Sequence, residues 1–70
     1  MKYLIVIEST NTGYSAYSPD IEGCIATGST LEEVKQNMQE AIDFHLEGLK
    51  LEGYEIPQPK TTSTYIEALV

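Results

Sequence analysis

Along the 70-residue chain the spacing of hydrophobic positions changes twice. Residues 3–7, Tyr-Leu-Ile-Val-Ile, are an unbroken apolar run rich in strand formers, and they predict a strand over residues 2–8. Apolar side chains on both faces imply a strand covered on both sides, or covered on one of them by a partner. Ser9, Thr10, Asn11, Thr12 and Gly13 are dense in turn formers and predict a hairpin loop. Tyr14–Ser18 resumes as a strand, with Tyr14 and Ala16 on one face and Ser15 and Tyr17 on the other. Pro19 cannot donate to a ladder and ends it. Residues 20–23, Asp-Ile-Glu-Gly, then form a turn, and residues 24–28, Cys-Ile-Ala-Thr-Gly, predict a third strand.

After Thr30 the period lengthens to that of a helix. Leu31, Val34, Met38, Ala41, Ile42, His45 and Leu49 fall on one stripe. Thr30 and Glu33 have the spacing of a capping box, and Glu32 and Glu33 place negative charge at the positive end of the helix dipole. Gly48 weakens the last turns and Gly53 supplies a stop, so the helix is predicted over Leu31–Leu51. Glu33, Glu40, Asp43 and Glu47 line the opposite face as an acidic ridge. Phe44 and Leu51 lie beside that ridge, off the core stripe; either a later segment folds over them or they mark an oligomer interface.

The period then returns to two. Residues 56–59, Ile-Pro-Gln-Pro, read as an extended linker. In residues 61–70, Thr64, Ile66 and Ala68 alternate with Tyr65, Glu67 and Leu69, which predicts a short fourth strand. The expected fold class is α+β, a single domain over residues 1–70: a three-stranded antiparallel meander, one long helix packed on the sheet, and a returning C-terminal strand (β-β-β-α-β).

Composition narrows the function. The net charge is −7, with only four basic residues. Phosphate backbones are held by Lys and Arg, so direct nucleic-acid contact is not expected. An acidic surface suits a basic protein partner, or simply keeps a small protein soluble. The single Cys makes no internal disulfide, which fits a reducing compartment, and the N-terminal apolar run is too short for a leader or a membrane span. A cytoplasmic protein with no membrane contact is the expectation. A domain this small gains stability by pairing with itself or with a partner.

Candidate chemistry is sparse. Cys24 and His45 could form a nucleophile–base pair, yet no third residue stands out to orient them. They fall short of the three or four protein ligands of a zinc site, and Asp20 with Glu22 lacks the spaced oxygen ligands of a calcium loop. Gly13, Gly23 and Gly28 do not have a phosphate-loop spacing. No catalytic residue, metal or cofactor is expected.

The ordered features from Gly13 to Pro59 resemble a known family. They are the aromatic strand before Pro19-Asp20, then Gly23-Cys24, the Gly-x-Thr helix start at Gly28 and Thr30, and Glu32. Glu40-Ala41, Leu-Glu-Gly-Leu at residues 46–49, and Ile56-Pro57 with Pro59 complete the set. Together they resemble the N-terminal domain of HicB-type antitoxins. The resemblance implies a truncated ribonuclease-H-like unit without the nuclease acids. It also implies a partner: a small, basic, RNA-cleaving HicA-like toxin whose RNA-binding and active surface the domain masks. Full-length antitoxins of this type usually add a DNA-binding domain, and no basic helix precedes Val70, so that half is expected to be missing here. Position 22 is Glu where the family often has Pro, which makes the turn more acidic.

Two function classes therefore stay open. One is an antitoxin-like protein-binding module with Tyr14, Tyr17, Asp20 and Glu22 as contact residues, although strand packing accounts equally well for the two tyrosines. The other is a toxin-free, self-associating structural or regulatory domain, a dimer or tetramer, with Phe44 and Leu51 at its interface.

Overall fold

The chain is described over residues 1–70 by a computed structural model. Its elements are β1 (Val6–Ser9), β2 (Tyr14–Ser18), β3 (Ile21–Gly28) and α1 (Leu31–Leu51). The sheet order is β1-β2-β3, antiparallel throughout. This is the expected meander and helix, with differences at both ends of the chain.

The first strand begins at Val6, four residues later than expected. Val6 pairs with Tyr17, so the residues before it face the Pro19-Asp20 turn. Pro19 has no N–H to give, and the ladder stops there. The third strand begins at Ile21, three residues earlier than expected, because Pro19-Asp20 alone makes the turn and Ser18 pairs directly with Ile21. The next register pair, Tyr17 with Ile25, leaves Glu22, Gly23 and Cys24 in a bulge. Gly23 sits there at φ +77°, a backbone region that side chains disfavour.

The helix has the expected bounds, and its ends explain them. Thr30 is extended (φ −126°, ψ 164°), and its hydroxyl accepts from the Glu33 N–H at 3.0 Å. The Glu33 carboxylate reaches one residue further back than a standard capping box and accepts from the Ser29 N–H at 2.6 Å. At the other end Gly53 takes φ +78°, its N–H donates to the Lys50 carbonyl, and the Tyr54 N–H donates to the Leu49 carbonyl. This is a Schellman stop.

The helix lies over β3 and the adjacent β2, not over β1. Ala16, Ile21, Cys24, Val34 and Met38 are buried between the layers. Tyr3, Ile5, Ile7, Tyr14, Ala26, Ala41, Ile42 and Leu46 are half-buried around them. Leu31, expected on the core stripe, is 44% exposed, because it starts the helix beyond the sheet's end. Leu46 joins the core although it was not placed on that stripe.

No strand follows the helix. Residues 56–70 are extended but enter no ladder, so the alternation in residues 61–70 supplies strand propensity without a strand to pair with. The radius of gyration is 13.9 Å, against about 11 Å for a compact chain of this length, and the long axis reaches 49 Å. No helix is long and apolar enough to cross a membrane.

Candidate functional site

The alternation of the strands separates the four contact residues expected from sequence. Tyr14 points to the helix side, packs against the core, and lines a polar groove with Thr10, Thr12, Thr27, Ser29 and Asn37. Tyr17 points to the opposite, uncovered sheet face. There the register aligns Val6, Tyr17 and Ile25 in one row across all three strands. Tyr17 is 42% and Ile25 71% exposed, so the row forms an apolar stripe open to solvent. Glu8 lies on the same face, opposite Ser15. The readable signal for Ile25 was its place between Cys24 and Ala26, the two residues that pack inward.

Asp20 and Glu22 flank the turn at the other end of the sheet and behave differently. The Asp20 carboxylate accepts three hydrogen bonds from the segment after the helix. Thr61 Oγ1 donates to Oδ1 at 2.6 Å, and the Thr61 and Lys60 N–H groups donate to Oδ2 at 3.0 and 3.1 Å. The Thr61 hydroxyl bond, aided by the two backbone bonds and the Lys60 charge, holds the Asp20 carboxyl below its ordinary range, against the opposing effect of desolvation. Asp20 is thus the anchor of the C-terminal segment, a role that sequence reading missed. Glu22 is exposed in the bulge and shares a shallow cleft with Asp20, His45, Leu49, Glu55 and Pro57. A second clamp is the Tyr3 hydroxyl, which donates to the Pro57 carbonyl at 2.6 Å.

The reactive candidates fit packing. Cys24 is a free, buried thiol, and burial pushes its pKa up, which favours the unreactive thiol over the thiolate. His45 is half-buried at the edge of the cleft that Glu22 also lines. No three of the His, Cys, Asp and Glu side chains converge as a metal-ligand set. Phe44 and Leu51 are 81% and 83% exposed, and no later segment folds over them.

Comparison with known proteins places this fold. The family model described as the HicB-like antitoxin of bacterial toxin-antitoxin systems matches residues 3–69. A 14.9 kDa protein from the rep-hol intergenic region of Haemophilus phage HP1 is 42% identical over 66 residues, covering 94% of this chain and 50% of the phage protein. The chain thus spans about half the length of that relative. A UPF0150 protein of Synechocystis is 37% identical over 57 residues, covering 80% of this chain and 72% of the relative. Among solved structures, a chain of the HicA3 and HicB3 toxin-antitoxin complex superposes with a TM-score of 0.74 at 40% identity, covering 84% of this chain and 70% of that one. The antitoxin HicB3 crystal structure gives 0.72 at 38% identity, covering 86% of this chain and 44% of that one.

Proposed function

The chain belongs to the HicB-like antitoxin family of bacterial toxin-antitoxin systems, and from that premise we propose that it binds a HicA-like toxin and covers the toxin's RNA-binding and active surface. The observation that carries this reading is the fold shared, at 40% identity, with a chain of a HicA3 and HicB3 complex. Its charge supports the same reading: a chain at −7 attracts a basic partner and speeds the encounter. It acts without catalysis, in the cytoplasm, and makes no direct nucleic-acid contact. We read the meander and helix as a ribonuclease-H-like unit without its catalytic acids, kept as a scaffold for binding.

Tyr17, with Val6 and Ile25 beside it, is the apolar anchor of the contact, and Glu22 is its acidic rim. Asp20 contributes through the segment it holds, and Tyr14 through the polar groove. The test is co-expression with the basic toxin-like reading frame expected beside the gene, followed by calorimetry on the purified pair. The chain restores growth, and Tyr17→Ala with Glu22→Lys weakens binding about a hundredfold while the fold is kept. No rescue, together with no measurable binding, refutes the reading.

A second reading has its own observation. Phe44 and Leu51, seven residues apart on one helix face, stay exposed, as an interface between copies in a toxin-free, self-associating domain would require. On this second reading alone, Phe44→Ala with Leu51→Ala lowers the mass seen by light scattering, and a parent chain that stays monomeric, or a double variant that associates like the parent, removes it.

A further inference from the structure

Two stretches of this chain have strand-like sequences and no strand partner. Residues 2–4 precede β1, carry Tyr3 and Leu4, and make no backbone hydrogen bond. Residues 62–70 are extended, and Tyr65, Ile66 and Leu69 stand in solvent. Backbone N–H and C=O groups near apolar surface are normally paired, and an ordered apolar segment does not normally stand in water.

The geometry around each stretch is well defined. β1 is an edge of the sheet, and α1 does not cover it. On its helix side a groove opens between the N-terminal residues and the helix, with Tyr3, Ile5, Ile42 and Leu46 as its apolar lining and Lys2, Gln39 and Asp43 as its polar lining. On its other side lies the Val6–Tyr17–Ile25 row. A strand added at this edge therefore meets apolar surface on both faces. The other edge, β3, lies under the helix, and Asn37 Nδ2 donates to the Thr27 carbonyl there at 2.8 Å. Residues 62–70 carry apolar side chains on both faces, Ile66 on one and Tyr65 with Leu69 on the other. Their start is fixed by the Asp20 and Tyr3 clamps, and from there they run clear of their own body.

We propose that residues 62–70 of one copy add as a strand to the open β1 edge of a second copy, and that the exchange is reciprocal across a two-fold axis. Charge points to a like copy as the occupant. Within residues 61–70 only Glu67 brings a charged side chain, so the segment adds little repulsion between two chains that each carry −7. A basic partner finds its complement elsewhere, on the helix acids and Glu22. Area agrees as well: two exchanged segments, each with one aromatic and two aliphatic anchors, bury on the order of 1,500 Å² in total, the size of a stable interface. The exchange borders the Val6–Tyr17–Ile25 row that the toxin reading also uses, but it needs no toxin, and testing it without one keeps its failure distinct from the failure of that reading.

The test uses the full chain without toxin, by sedimentation equilibrium over a wide concentration range and by hydrogen exchange at residues 2–4. The parent chain is expected at twice its 7.8 kDa mass, or a multiple of that, with slow exchange at residues 2–4. Ile66→Ser with Leu69→Ser weakens association about a hundredfold and releases those amides, while the helical circular dichroism stays intact. Phe44→Ala with Leu51→Ala leaves association unchanged. Three results overturn the proposal. One is a parent chain that stays monomeric at millimolar concentration, whether its residues 2–4 exchange quickly or are protected by its own C-terminal segment. Another is a dimer that survives the Ile66/Leu69 change. The third is a dimer lost only with the Phe44/Leu51 pair.

Discussion

Gly28 and Gly48 allow one chemical change to be made in two environments. At Gly28, where β3 hands over to the helix, an added Cβ would lie 2.5 Å from the Val34 nitrogen, 2.8 Å from its Cα and 3.0 Å from the Glu33 carbonyl carbon. All three are backbone atoms of the first helical turn, so no side chain can swing aside. The turn must retreat by about 1 Å to reach ordinary contact, and a gap of that size forfeits a quarter to a half of the dispersion attraction across it. Val34 and Met38, fully buried against the sheet, take that loss. Overpacking of this kind costs about 1–3 kcal/mol, less about 0.5 kcal/mol from the reduced freedom of the unfolded chain. At Gly48 nothing lies within 4 Å of the added Cβ, and the helix gains about 0.8–1 kcal/mol from the better helix former. A domain of this size has roughly 4–10 kcal/mol in all. With a urea slope of about 1 kcal/mol per molar, Gly28→Ala lowers the midpoint by about 0.5–2.5 M and Gly48→Ala raises it by about 1 M. Urea titration by far-ultraviolet circular dichroism at one fixed protein concentration reads both, since self-association would add to apparent stability. If Gly28→Ala matches the parent midpoint with an unchanged slope, the close approach of strand end and helix is refuted.

Two further outcomes follow from the titratable groups. The Asp20 carboxyl is held below its reference value of 3.8, so the charged form is the one the fold favours. Its contribution is therefore present above about pH 4 and lost as pH falls through the lower folded value. The Thr61 amide, followed by proton NMR, shifts with a midpoint below 3.8, and Asp20→Asn moves it at neutral pH; a flat titration refutes the anchor. Cys24, buried and with its pKa raised, reacts with a disulfide reagent at neutral pH only as fast as the domain opens, and at once in urea. Immediate reaction of the folded protein shows that the thiol is not where the core places it.

What could be read in advance was what is local. The helix bounds were legible because Thr30, Glu33 and Gly53 act on backbone groups within a few residues of themselves. The opposite faces of Tyr14 and Tyr17 were legible because alternation is a property of the strand itself. The start of β1 was not, since residues 2–4 have every strand preference and only the position of Pro19 across the hairpin denies them a partner. The Pro19-Asp20 turn was misplaced because Gly23 looked like its end, whereas it relaxes a bulge two residues into β3. Residues 61–70 show the same limit: alternation states which faces a strand would present, and not which edge receives it. For Asp20, composition and turn context pointed outward to a partner. Its bond to Thr61, 41 residues away in sequence, left no local trace.

The order of elements in space repeats their order along the chain, with β1 against β2, β2 against β3, and β3 against the helix. The most extensive packing is between sequence neighbours, which shortens the search for the folded state. The helix–β2 contact and the Tyr3–Pro57 and Asp20–Thr61 clamps are the longer closures. Residues 62–70 take no part in that event. The body is complete as soon as the helix has closed, and its unpaired edge and free segment are then met at a rate set by protein concentration. Folding and assembly become separate kinetic steps, and dilution slows only the second.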